Sequence, residues 1–241
     1  MTLTDPHARP APSAVPGGSG PPPSSGSGAP GLLRGGTRSV VAVVAVVVLV
    51  AAGSFVWWRH WGPGHHSVAV LGDSITAFSS GALESGLGFR YDARVDGVPG
   101  ARTDERVAQA QAMGAAGPQD VVINLGTNDV LQNWDLEASM AALDQIGASF
   151  AGASCIIVTD VSESMAKPDD PGVRDRAVAF NARLRQVATA RGWHLIEWSR
   201  IVADDVAQGQ PDGAITLDTI HPSEHGQELL VSATYDALAG C

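Results

Sequence analysis

Basic residues are scarce in this 241-residue chain. It has 15 Lys and Arg against 25 Asp and Glu, which gives a net charge of −10 at pH 7. The imbalance is larger after residue 65, where 24 acidic and 11 basic side chains give a net charge of −13. Nucleic-acid binding depends on basic patches that neutralise phosphates. We therefore expect no nucleic-acid partner.

Cysteine is also rare. Cys155 and Cys241 are the only two, and their spacing does not suggest a metal site. Cys155 begins an apolar run, and Cys241 ends the chain after a predicted helix. A disulfide between them would hold a terminus that otherwise frays, and an extracytoplasmic location would permit it. Two free thiols are the alternative.

Large apolar residues are almost absent from residues 1–38. Pro, Gly, Ser and Ala dominate this segment, as in PGGSGPPPSSGSGAPG. Such a sequence does not bury enough apolar surface to offset the entropy lost on ordering. We predict a disordered cytoplasmic tail, and its few charges suggest no specific partner.

Charged residues are absent from residues 39–58, SVVAVVAVVVLVAAGSFVWW. As a helix, a segment of this length spans about 30 Å, the thickness of a hydrocarbon core. Arg34 and Arg38 precede it, and Trp57 and Trp58 end it. Arginine before the span favours a cytoplasmic N-terminus, and tryptophan favours the membrane interface. The segment is therefore predicted to be a transmembrane signal anchor.

Two other interpretations of residues 39–58 remain open. A buried core helix is disfavoured because nothing polar marks a solvent face. A cleaved signal peptide would suit the small residues Ala51-Ala52-Gly53, although the leader before the span is long for a signal. The anchor and the signal peptide both place the following residues outside the cytoplasm. We interpret residues 59–66 as a juxtamembrane linker and residues 67–241 as one domain.

Short apolar runs alternate with amphipathic segments in this domain. The runs predicted to be strands are Ser67–Leu71, Phe89–Val95, Val121–Leu125, Cys155–Thr159 and His194–Trp198. Apolar residues at spacings of three and four predict helices over residues 134–150 and 176–192, and a C-terminal helix is predicted over 223–238. The alternation predicts an α/β fold, a three-layer α/β/α sandwich with a mostly parallel, flavodoxin-like, five-stranded sheet. One transmembrane helix would precede it.

Polar clusters follow three of the predicted strands, and a fourth precedes the last helix. They are Gly72-Asp73-Ser74, Gly97 to Ala101, Gly126 to Asp129 and Asp218 to Pro222. In parallel sheets, functional groups collect at the carboxyl ends of strands. Acyl transfer requires a nucleophile, a base, a group that orients the base, and donors for the oxyanion. The clusters supply Ser74, His221, Asp218, backbone amides and a carboxamide.

These clusters resemble the SGNH or GDSL-type serine hydrolases. The four residues of the family name are matched in the family's order by Ser74 in GDSI, Gly100 in GVPGA, Asn128 in GTND and His221 in DTIHP. Ile75 stands where the GDSL motif usually has leucine. The resemblance covers residues 67–240 and implies the SGNH hydrolase fold. The chain lacks Gly-x-Ser-x-Gly at its serine, which argues against the nucleophile elbow of α/β-hydrolases.

The resemblance implies a role for each matched residue. Ser74 would be the nucleophile, His221 its base, and Asp218 the group that orients the base. The oxyanion hole would consist of the amides of Ser74 and Gly100 and the side chain of Asn128. No metal or organic cofactor is implied.

Neighbouring residues offer competing interpretations. Ser74 would also suit a simple helix N-cap. Gly97 competes with Gly100, which we choose because a small residue and a helix start follow it in GART. The resemblance implies that Asp73 organises the backbone amides of the turn. We interpret His225, one turn beyond the catalytic histidine, as a surface residue.

Together these features predict a carboxylic ester hydrolase with a Ser-His-Asp triad and an acyl-enzyme. No long insertion provides a lid, which favours short-acyl esters or O-acyl esters of carbohydrate or cell-wall polymers. The alternatives are a lysophospholipase or lipase at the membrane surface, an acyltransferase with the same triad, and a catalytically idle, tethered binding module. The predicted partners are a small-molecule or polymer-borne ester and the membrane, through residues 39–58.

Overall fold

The computed structural model describes residues 43–54 and 66–241. Residues 43–54 are helical. No helix within these two ranges is both long and apolar enough to cross a bilayer. The predicted tail, residues 1–38, and all but the last residue of the predicted linker, 59–66, lie outside the described ranges, as do both ends of the predicted membrane segment.

Residues 66–241 fold around a five-stranded sheet in which every strand pair is parallel. The strands are β1 (His66–Gly72), β2 (Tyr91–Gly97), β3 (Asp120–Asn124), β4 (Cys155–Thr159) and β5 (His194–Ile196). Their order across the sheet is β2-β1-β3-β4-β5, as predicted for a flavodoxin-like sheet. The order reverses between β1 and β3, and ligands of such sheets bind at this switch point, beyond the carboxyl ends of the strands.

Eight α-helices within residues 66–241 connect and cover these strands. They are α1 (Ser74–Phe78), α2 (Ser80–Leu87), α3 (Val107–Gly114), α4 (Thr127–Leu131), α5 (Leu136–Ser149), α6 (Val173–Arg191), α7 (Trp198–Ala207) and α8 (Glu224–Ala239). The short helices α1 and α4 begin two residues after the end of β1 and three residues after the end of β3, respectively. They therefore lie at the switch point.

Both faces of the sheet are buried, which makes three layers. Successive side chains of a strand point to opposite faces. Ala69 and Leu71 accordingly pack into one apolar cluster with residues of α3, α5 and α6. Val68 and Val70 pack into a second cluster with residues of α2 and α8. This double burial explains why β1, β3 and β4 contain nearly continuous apolar runs, whereas the edge strand β2, YDARVDG, does not.

The last strand is shorter than predicted. It ends at Ile196, and Trp198 begins helix α7 instead of closing the strand. The Trp198 side chain is buried with Val202 and Ile215 in a third apolar cluster. The apolar pair of residues 196 and 198 suits a strand in sequence, but residues 198 and 202 also share one face of a helix. Burial of that helical face decides between the two.

Cys155 and Cys241 are joined by a disulfide. The bond connects the first residue of β4 to the last residue of the chain, 86 positions away. It holds the end of α8 against the sheet, because the chain stops two residues after that helix. A cross-link of such long span removes much of the freedom of the unfolded chain.

Candidate active site

Ser74 is presented by the turn between β1 and α1. It is the first residue of α1, and the preceding Asp73 is the N-cap, whose carboxylate accepts the N–H of Ile75 at 3.0 Å. The capping role therefore belongs to Asp73 and leaves the Ser74 hydroxyl free for other contacts. The amide of Ser74 lies at the helix N-terminus, where N–H groups have no partner within the helix.

Ser74, His221 and Asp218 form one continuous chain of hydrogen bonds. His221 Nε2 lies 3.0 Å from Ser74 Oγ, and His221 Nδ1 lies 2.7 Å from Asp218 Oδ2. Ser74 and His221 are 147 positions apart in sequence, so the fold alone creates this contact. The geometry is that of a nucleophile, a base and an orienting carboxylate.

A tight turn brings Asp218 back onto His221. Asp218 Oδ1 accepts the N–H groups of Ile220 at 3.1 Å and His221 at 2.7 Å. Partial desolvation raises the pKa of Asp218, but the hydrogen bonds from the backbone and ring of His221 outweigh it and hold that pKa below its ordinary value. An ionised carboxylate only accepts hydrogen bonds. His221 therefore carries its proton on Nδ1 and presents a lone pair on Nε2 to the serine.

Gly97 and Gly100 differ in the reason that each position has a glycine. Gly97 ends β2, and a Cβ there would lie 2.3 Å from the backbone N of Ala77, so Gly97 is required for close packing of α1 on the sheet. Gly100 has a φ of +79° and open space beside it. Its N–H has no hydrogen-bond partner among the described residues. Gly100 therefore has a free donor of the kind that an oxyanion needs.

Asn128 lies in the first turn of α4, directly after β3. Its side chain is 7% exposed, and its Nδ2 has no hydrogen-bond partner within the described part of the chain. Buried polar groups are nearly always hydrogen-bonded, and this amide donor is therefore available to a ligand. Gly72, Gly97 and Asn124 are register partners in neighbouring strands, so the three loops that carry these donors start side by side.

Comparison with known proteins places the chain in a family. The family model of GDSL-like lipase/acylhydrolase proteins matches residues 70–229, about two thirds of the chain. The chain belongs to the GDSL-like lipase/acylhydrolase family. It is therefore a carboxylic ester hydrolase by family, as the sequence predicts. A search of curated proteins found no match to the chain.

Solved structures of family members and other hydrolases share the fold. A lipase/acylhydrolase from Enterococcus faecalis has a TM-score of 0.62 at 18% identity, covering 73% of this chain and 96% of that one. LAE5, described as an alpha/beta hydrolase enzyme from the metagenome of Lake Arreo, Spain, has a TM-score of 0.61 at 19% identity, covering 75% and 98%. A catalytic mutant of Axe2, an acetylxylan esterase from Geobacillus stearothermophilus, has a TM-score of 0.58 at 20% identity, covering 72% and 94%.

A buried carboxylate that the sequence did not single out braces this GDSL-like site. Asp129 follows Asn128, and its Oδ2 accepts both the N–H and the hydroxyl of Thr103, each at 3.0 Å. Its Oδ1 accepts the Ser139 hydroxyl at 2.6 Å. Asp129 thus joins the loop after β2, which carries Gly100, to α4 and α5. The final Asp of GTND was the available signal for this role.

The structure gives contacts to Phe78, which the sequence did not single out, and corrects the prediction for His225. The Phe78 ring packs edge-on against the His221 ring, with centroids 5.0 Å apart, and remains 55% exposed. His225 was predicted to be a surface residue, but it is mostly buried and its Nε2 lies 3.1 Å from Asp205 Oδ1. That pair connects α8 to α7 and does not contact the Ser74 chain.

Asp73 is fully buried beneath the site, and burial raises its pKa to about 7, with the negative charge of Asp129 adding to the effect. Between its ordinary pKa of 3.8 and about 7, the folded protein keeps this proton and the unfolded chain releases it. The stabilisation of the fold by this bound proton is therefore complete below pH 3.8 and is lost as the pH rises towards 7.

We expect Asp73→Asn to flatten the fall in stability between about pH 4 and pH 7, because asparagine stays neutral and keeps the oxygen that caps Ile75. The fall in the free energy of unfolding over this pH range should become smaller by on the order of 4 kcal/mol at most. Urea unfolding at several pH values measures it, with the exposed Asp92→Asn as control. Parallel stability curves for Asp73→Asn and the parent would contradict the expectation.

Proposed function

We propose that this protein hydrolyses carboxylic esters with Ser74 as nucleophile, His221 as general base and acid, and Asp218 as the group that orients the histidine. The observation that carries the proposal is the unbroken hydrogen-bond chain through these three side chains. Family membership gives the reaction class. The residue roles rest on the geometry.

The proposed reaction has two halves. Ser74 Oγ attacks the ester carbonyl carbon while its proton passes to His221 Nε2, and the amides of Ser74 and Gly100 with Asn128 Nδ2 stabilise the oxyanion. Collapse of this intermediate breaks the carbon–oxygen bond, and His221 returns the proton to the leaving alcohol. Water then attacks the acyl-enzyme in the same way and releases the acid. The negative charge of Asp218 stabilises the protonated histidine in both halves.

Short acyl groups on a carbohydrate are the substrate class that we favour. The segment between β4 and α6, residues 160–172, contacts the turn of Asp218 and His221 through Ala166, and it does not provide a lid of helices. A cleft of about 470 Å³ adjoins α4 and is lined by Asn133, Trp134 and Arg176 among others. An exposed aromatic ring among polar side chains suits a sugar ring. One solved structure with the same fold is described as an acetylxylan esterase, which agrees with this choice.

A longer acyl chain is the second candidate, because exposed apolar side chains border the triad. Phe78 touches the His221 ring, Leu217 precedes Asp218 and is 77% exposed, and Val98 lies two residues before Gly100. Such a rim would contact the hydrocarbon of a lysophospholipid or other lipid ester.

Hydrolysis of p-nitrophenyl esters of increasing acyl length separates these candidates. For a short-acyl site we expect kcat/KM to fall sharply beyond about four carbons. A site with an apolar surface for the chain would instead gain about 0.8 kcal/mol for each methylene that contacts it. A rise with length that Phe78→Ala removes would favour the lipid candidate. Phe89→Ala is the matched control, because Phe89 is equally exposed but precedes the opposite end of β2.

The acyl-enzyme itself is tested by pre-steady-state kinetics. With excess p-nitrophenyl acetate we expect a burst approaching one equivalent of p-nitrophenol per chain if deacylation is the slower half. Labelling by a fluorophosphonate probe should reach the same stoichiometry. An absence of both labelling and hydrolysis would instead support an idle binding module. Acyl transfer to an added sugar, with little hydrolysis in its absence, would indicate a transferase.

We further propose that the domain works outside the cytoplasm, anchored through residues 39–58. The Cys155–Cys241 disulfide supports an oxidising compartment. The uncharged sequence of residues 39–58 supports the anchor. Protease accessibility of the domain in intact cells tests the location.

A further inference from the structure

Thr219 lies between Asp218 and the histidine in a conformation that threonine rarely adopts. Its φ is +70°, in the left-handed region that favours glycine. A branched Cβ makes this region costly, and a residue stays there only when its surroundings impose it. Some contact must therefore hold Thr219 in place.

The side chain of Thr219 provides that contact. Its Oγ1 accepts the backbone N–H of Ala166 at 3.0 Å and lies 3.4 Å from the carbonyl oxygen of the same residue. The two residues are 53 positions apart, so this clamp joins the catalytic turn to the segment of residues 160–172. Thr219 is exposed, and its hydroxyl's bonds with Ala166 are the side-chain contacts that join it to another segment.

The segment that receives the clamp is itself fixed to the fold. The fully buried Asn181 on α6 accepts the N–H of Val161 at 2.9 Å and donates to its carbonyl at 2.8 Å. The same Nδ2 donates to Glu163 at 3.0 Å. Met165, next to Ala166, is buried in the main apolar cluster. Ala166 is therefore a firm anchor, not part of a free loop.

We propose that Thr219 is a positioning residue that fixes the Asp218–His221 turn against this segment and so keeps His221 in reach of Ser74. This inference rests on the proposed function. The turn is also held by the hydrogen bond from the Leu217 N–H to the His221 carbonyl and by Ile220, which packs against the main apolar cluster. Asp218 and His221 are still more than a quarter exposed, and the bond between Thr219 and Ala166 ties their turn to residues 160–172. A displacement of the imidazole by about 1 Å lowers the rate of a positioned reaction by up to 100-fold.

Three substitutions at residue 219 in the full-length protein separate the effect of the hydroxyl on activity from the effect of the strained backbone conformation. Thr219→Ser keeps the hydroxyl, Thr219→Val keeps the branched shape without it, and Thr219→Gly removes both the hydroxyl and the strain. We expect near-parental kcat for Thr219→Ser, and a loss of about 10- to 100-fold in kcat with little change in KM for the other two. Gln210→Gly is the control, because it relaxes another left-handed residue away from the triad.

A spectroscopic readout accompanies the kinetics. The His221 Nδ1 proton held by Asp218 should give a far-downfield proton resonance in the parent and in Thr219→Ser. We expect it to broaden or vanish in Thr219→Gly, although this variant should unfold at the same or a higher temperature than the parent.

Parental kcat in Thr219→Gly or in a folded Thr219→Val would overturn the proposal, as would loss of activity in Thr219→Ser. These outcomes are distinguishable from failure of the proposed function. If the parent itself neither hydrolyses p-nitrophenyl acetate nor binds the fluorophosphonate probe, the function fails. If the parent is active and the Thr219 variants are equally active, the proposed ester hydrolase function is retained and the positioning role of Thr219 is rejected.

Discussion

Ser74→Ala should abolish ester hydrolysis while leaving the domain folded. The substitution removes the Oγ that lies 3.0 Å from His221 Nε2, and no other hydroxyl is hydrogen-bonded to that ring nitrogen in the described structure. Loss of one member of a triad typically lowers kcat by about 10⁴-fold or more. Steady-state hydrolysis of p-nitrophenyl acetate measures the loss, and labelling by a fluorophosphonate probe should disappear with it.

The fold should survive this change because Ser74 does not cap its own helix. Asp73 accepts the N–H of Ile75, and an alanine in the first position of α1 leaves that bond intact. Ser79→Ala is a matched control, since Ser79 is a fully buried serine at the other end of the same helix, and its hydroxyl has no hydrogen-bond partner in the described structure. Hydrolysis by Ser74→Ala at the parental rate would show that another group is the nucleophile.

The sheet could be predicted from sequence because of how its strands are buried. Parallel strands covered on both faces read as continuous apolar runs, and the run Cys155–Thr159 coincides with β4. The prediction failed at Trp198, where one apolar residue suits either a strand or a helix face. Local patterns did not decide that case, because the burial of Trp198 depends on Ile215 and Leu230, which come later in the chain.

The residues of the candidate site could be predicted from sequence, but the contacts that support them could not. Ser74, Asn128 and His221 lie in short motifs that sequence analysis detects. Asp129 was visible only as the last letter of GTND, because its partner Thr103 is 26 positions away and no local pattern connects them. The left-handed Thr219 is likewise invisible in sequence, since threonine does not signal a positive φ.

Asn128→Ala should lower kcat by about 100- to 1000-fold with little change in KM. The Nδ2 of Asn128 is buried and has no partner in the described structure, and in the proposed mechanism its partner is the oxyanion. A donor that acts mainly in the transition state affects kcat more than substrate binding. Loss of one such donor costs about 2.7–4 kcal/mol of barrier. The measurement is steady-state kinetics on p-nitrophenyl acetate.

Asn128→Asp sharpens the test, because it has nearly the same shape but places a carboxylate where the oxyanion develops. We expect it to be slower than Asn128→Ala, since like charges repel most strongly in a site with little water. Asn128→Ala should unfold at a temperature close to the parent, because Nδ2 has no hydrogen bond to lose in the resting protein. Asn128→Asp should unfold at a lower temperature at neutral pH, because burial disfavours an ionised carboxylate. A loss of activity that appears only as a higher KM, or equal rates for the two variants, would mean that Asn128 binds the substrate without stabilising the oxyanion.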